Sequence, residues 1–156
     1  MKYSRMLVSG FVLTVGAHSL LAQVADDELE ATAVALPLAM TKLPPGPSAI
    51  VYNDRTLILS QKLGARLGMK IDHEQSKLVC HDDNARRRII CSLKDGISLV
   101  NLTGVKVRGE RAKAYFTIEI PSKSPWHPVE SSIYVVDLVR SAGKWTVKGI
   151  RLFAIS

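Results

Sequence analysis

Residues 109 to 121 read GERAKAYFTIEIP, and the period of that stretch decides the fold. Ala112, Ala114, Phe116, Ile118 and Ile120 fall on one parity, with Lys113, Thr117 and Glu119 on the other. Successive side chains of a strand point to opposite faces, so this pattern describes a strand with one face covered by a core and one open to water. Gly109-Glu110 supplies a tight turn in front of it, and residues 141 to 143, Ser-Ala-Gly, supply another further on.

Working outward, the segments 98–108, 111–121, 132–140 and 144–155 read as four consecutive long strands, an antiparallel meander. Two of them change apolar parity at a glycine. Val100 and Leu102 give way to Val105 and Val107 across Gly104, and Trp145 and Val147 give way to Ile150 and Leu152 across Gly149. A lone glycine with a parity slip predicts a β-bulge, which bends its strand and tightens its twist. Two bulges predict a strongly curved sheet.

Upstream, Asn53 or Asp54 can cap a helix whose Leu59, Leu63 and Leu67 recur at four-residue spacing and which Gly68 terminates. Gly64 inside it lowers helix propensity and permits a close approach. The spacing predicts one main helix packed on the concave face of a sheet of four to six strands, an α+β domain over residues 49–156. Residues 23–48 carry three prolines and a glycine between Pro44 and Pro47 and read as a flexible Pro-rich tether, any helix there stopping before Pro37.

Lys2 and Arg5 precede an apolar run from Met6 to Val15, and small residues surround Ala22. Residues 1–22 therefore predict a secretory signal, cleaved near Gln23 or Leu20, and a periplasmic or secreted product. The apolar run falls short of the roughly 20 residues that span a bilayer, so the mature chain is not expected to be membrane-spanning. An uncleaved anchor is the alternative reading.

The formal net charge of +7 drops to +5 once Lys2 and Arg5 are removed. The basic residues are spread along the chain, with Arg86-Arg87-Arg88 the one dense run, and no interleaving of aromatic and basic residues suggests base stacking. No nucleic acid partner is expected; loose attraction to anionic lipid or polysaccharide is compatible with the charge. Cys80 and Cys91 are an even pair in an exported chain and predict one disulfide, with metal binding alongside His81, Asp82 and Asp83 as the alternative. Adjacent Cys and His on a strand point apart, which disfavours a closed metal site. Nothing in the chain calls for a cofactor. Asn101-Leu102-Thr103 matches a glycosylation pattern by chance, inside a strand.

The turn Gly109-Glu110-Arg111-Ala112 into a long strand, the strand from Ile133 to Arg140, and the hairpin Ser141-Ala142-Gly143-Lys144-Trp145 with Val147 resemble the C-terminal half of nuclear transport factor 2-like domains, the SnoaL-like and cystatin-like cones. The resemblance covers residues 98 to 156. It implies an exported member of unknown function, a pocket between helix and sheet, and a possible homodimer through the open face of the sheet. Such domains bring two or three helices before the sheet, and the periodicity here marks only one.

Enzymes of that family place an Asp, His, Tyr or Glu in the pocket as acid or base. Tyr115, Tyr134, Asp137 and Trp145 are the ligand-pocket candidates, Asp137 because it interrupts the apolar run from Ile133 to Val139. Trp126 and His127, in the proline-bounded SPWHP loop, are candidates for an interaction tip. No Ser-His-Asp or Cys-His set can be assembled, so no catalytic residue is assigned. The expected function is a non-catalytic exported domain binding a small apolar ligand or an unknown protein. The alternatives are a small acid-base isomerase or hydrolase and an envelope-associated accessory or inhibitor protein.

Overall fold

In the computed structural model, residues 15–84, 87–124 and 126–155 are described, with side chains from residue 26 onward. Most of the predicted signal lies outside the described residues. The elements run α1 (Val15–Met40), β1 (Ser48–Tyr52), α2 (Leu57–Leu67), β2 (Asp72–His73), β3 (Leu78–Asp83), β4 (Arg88–Leu93), β5 (Ser98–Arg108), β6 (Arg111–Pro121), β7 (Val129–Ser141) and β8 (Lys144–Ile155). The fold is α+β with a curved, unclosed sheet of order β2-β1-β5-β6-β7-β8, and β3 and β4 form a separate hairpin. The four strands β5 to β8 are the antiparallel meander, and β1 adds to its edge in parallel with β5.

Both glycine-marked bulges are present. The β5–β6 register shifts between Leu102 and Gly104, and the β7–β8 register skips Lys148 between Val147 and Gly149. Gly104 sits at φ +154°, a conformation that side chains resist. A third irregularity, at Phe153, was not marked by glycine.

The largest departure from expectation is the segment read as a tether. It forms α1, whose Ala31, Ala35, Leu36 and Ala39 are buried against Val100, Leu102, Phe116, Ile118 and Val136 of the sheet. Pro37 does not stop this helix, because its ring lies on the exposed side while the residues flanking it are anchored. A lost backbone hydrogen bond is outweighed by a packed face, the usual way tertiary context overrides propensity. The core helix is thus α1, not α2: of the leucine stripe only Leu63 is fully buried, and Leu67 is exposed.

The C-terminal end of α2 follows the sequence, whereas the expected cap Asn53 serves the turn before the helix and α2 itself begins after Thr56. Asn53 Oδ1 accepts from the Arg55 amide at 3.1 Å in a short 3-10 turn that leads into the helix, and Gly68 closes it in the left-handed conformation at φ +63°. A Cβ on Gly64 would stand 2.9 Å from the Met69 carbonyl oxygen, so the close approach permitted by that glycine is real. Cys80 and Cys91 are direct partners across β3 and β4 and are disulfide-bonded. Closing a loop of about a dozen residues contributes roughly 2 to 3 kcal/mol in the chain-entropy picture. The hairpin covers the second sheet face at one end, where Leu78 and Leu93 pack on Val51 and Leu99.

Candidate functional site

The space between α1 and the sheet is filled. Phe116 is 1% exposed and Trp145 4%, and both belong to one apolar cluster with Leu36, Leu63 and Leu102. Trp145 is therefore core, with the Arg140 guanidinium 5.3 Å from its ring, and does not line a pocket as expected. Tyr134 also lies on the helix side, partly buried at the rim of a hollow of about 220 Å³ with Leu43, Pro44 and Ile118.

Tyr115 and Asp137 point the other way, and the structure brings them together. They line a groove of about 700 Å³ on the face opposite α1, along with Lys106, Arg108, Arg111, Lys113 and Lys148. Register explains the crowding. Lys106 lies directly across from Lys113, and Arg108 directly across from Arg111. Asp137 is the next partner of Lys113 on β7, and the skipped residue Lys148 stands beside Asp137 on β8.

Like charges directly opposite each other on a sheet are destabilising by a few tenths to about 1 kcal/mol per pair. Elsewhere some of the cations are paired, Arg140 with Asp27, Lys70 and Lys77 with Asp72, Arg88 with Asp83 and Arg151 with Asp137. None of the five groove cations makes an ion pair among the described residues, and Lys106 only overlies the Tyr115 ring, 5.7 Å from its centroid. Asp137 accepts a hydrogen bond from Arg151 at 3.2 Å and keeps its other carboxylate oxygen toward the groove side of the sheet. The groove is a cationic surface with one aromatic and one carboxylate in it.

Sequence reasoning missed this site, although a signal was present. KVRGERAK, residues 106 to 113, places its cations symmetrically about the Gly109-Glu110 turn, and a two-residue hairpin must then set like charge against like. Trp126 and His127, by contrast, stand with Arg88 and Ile90 around a shallow hollow of about 270 Å³ beside β4, away from the groove.

A second unanticipated group is Glu119, read as solvent-facing and found 8% exposed on β6. Its pKa is pushed up to about 7, mainly by burial and further by the charge of Glu74, against a hydrogen bond from Asn101 that lowers it. The Asn101 amide also donates to Glu74 Oε2 at 2.6 Å, while its own Oδ1 is buried with no partner. Glu119 lines none of the grooves described above. Buried in this network, Asn101 is no accessible glycosylation site.

Among the described residues no three metal-ligating side chains gather, and no helix is long and apolar enough to cross a membrane. The disulfide fits an oxidising, exported environment. No protein-family model, curated protein or solved structure matches the chain.

Proposed function

We propose that the protein is an exported, non-catalytic binding module that takes an anionic ligand on the open face of its sheet. The observation that carries this reading is the pair of like-charge rungs, Lys106 with Lys113 and Arg108 with Arg111, which make no ion pair among the described residues and line a groove of about 700 Å³. A fold that bears such repulsion in the free state recovers it when an anion binds. The filled helix side redirects the expected ligand from an apolar one inside the domain to a charged one on its surface. A secretory signal over residues 1–22 and a periplasmic or secreted location belong to this proposal, and the disulfide supports them. So does membership of the nuclear transport factor 2-like group, supported by a helix laid across a four-stranded meander.

The test is an NMR titration of the disulfide-bonded protein with tripolyphosphate at low salt. The reading expects amide shifts concentrated at residues 106–113, 137 and 148, weakening as salt rises. Shifts absent or scattered over the surface would overturn it.

A further inference from the structure

The groove contains more than positive charge, and its contents narrow the ligand. Residues two apart on a strand are about 7 Å apart, so the two cationic rungs form a two-by-two array that matches a ligand with two acidic groups at about that separation. The volume of about 700 Å³ exceeds what a single small anion needs and suits a ligand of several rings. Tyr115, partly exposed, offers a ring face and a hydroxyl in the groove, and Asp137, oriented by Arg151, offers carboxylate oxygens that only accept hydrogen bonds. A bare polyanion gains nothing from Asp137, which repels it. A sugar bearing acidic groups uses every part: its acidic groups meet the rungs, its hydroxyls donate to Asp137, and the apolar side of its ring covers Tyr115. A nucleic acid strand fits less well, since the groove holds one aromatic and a carboxylate would face the phosphates.

Resting on the reading of the open face as the binding surface, we infer that this groove takes an anionic oligosaccharide with two acidic groups about 7 Å apart along the chain. Tyr115 and Asp137 are the residues that separate this ligand from other anions.

Isothermal titration of the intact disulfide-bonded protein with four probes tests the inference: a heparin-derived tetrasaccharide, tetragalacturonic acid, tripolyphosphate and an eight-residue oligothymidylate. The wild type and the groove variants Lys106→Glu/Arg108→Glu, Tyr115→Ala and Asp137→Asn are compared, with circular dichroism confirming their fold. The expected result is at least tenfold tighter binding of one saccharide than of tripolyphosphate or oligothymidylate. Lys106→Glu/Arg108→Glu then abolishes all binding, whereas Tyr115→Ala and Asp137→Asn weaken the saccharide at least fivefold and leave tripolyphosphate equal or tighter. Equal affinity for all probes, lost together in the double variant, would leave the anion groove standing and overturn the saccharide. Tightest binding of oligothymidylate would overturn it in favour of nucleic acid. Silence from all four probes would overturn both the saccharide and the binding surface.

Discussion

The guanidinium of Arg140 on β7 grips the carboxylate of Asp27 on α1 through two hydrogen bonds, one from each terminal nitrogen, joining positions 113 residues apart in the chain. The pair is mostly shielded, with 22% of the Arg140 side chain and 16% of the Asp27 side chain exposed, and the guanidinium also lies over Trp145. A planar fork matched to a carboxylate is geometrically specific, so the contact fixes where α1 lies on the sheet as well as holding it there.

Replacing Asp27 by Ala leaves a half-buried cation above Trp145 with its fork unfilled. The expected loss is about 1 to 2 kcal/mol, less than for a fully buried pair because solvent reaches part of it. Urea denaturation checks the value, and Asp27→Ala/Arg140→Met should recover part of the loss. An unchanged midpoint in Asp27→Ala would show that α1 is held by its alanine face alone.

Glu119 makes stability depend on pH. Its carboxyl holds a proton to about pH 7 in the fold and to about 4.5 in the unfolded chain, so between those values the folded state binds more protons. Stability is then greatest below about pH 4.5 for this group, falls as pH rises through the window, and levels off above about 7. The difference is on the order of 3 kcal/mol. Glu28, raised by partial burial, adds in the same direction. Asp72 acts oppositely, held low by hydrogen bonds from Lys70 and then Lys77, so its contribution is lost only as pH falls below the ordinary carboxylate range. Glu119→Gln should flatten the fall between pH 5 and 8 and be more stable than the wild type at pH 8. Superimposable pH profiles for the two proteins would contradict this.

The turn between β7 and β8 is built from Ala142 at φ +51° and Gly143 at φ +77°. Alanine resists that conformation and asparagine tolerates it, so Ala142→Asn should stabilise the protein by about 0.5 to 1 kcal/mol. A thermal melt showing no rise, or a fall, would contradict the strain argument.

What the chain reveals of itself depends on how local the determinants are. The alternation of Ala112 to Ile120, the bulges at Gly104 and Gly149, the cap at Asn53 of the turn leading into α2, the end of α2 at Gly68, and the disulfide are all set by neighbours in sequence, and all are readable there. The helix α1 is not, because its buried face is made largely of alanine, which gives little hydropathic contrast, and because Pro37 is tolerated only where packing compensates. The binding groove needs a pairing register before its charges can be seen to meet. Tyr115 and Asp137 are legible as unusual residues on strands, but only the register puts them on one face with five cations, and puts Tyr134 and Trp145 on the other.

The central claim is that the cationic rungs are kept for a ligand at the expense of the free fold. Arg108→Glu tests it most directly, because this exposed residue faces Arg111 and has no strand on its other side. In low-salt urea denaturation without ligand, the variant should be more stable than the wild type by about 0.5 kcal/mol, since repulsion across the strands becomes attraction. Added tripolyphosphate should then raise the wild-type midpoint and leave the variant nearly unmoved. A variant that is less stable when free, yet stabilised by tripolyphosphate as much as the wild type, would contradict the claim.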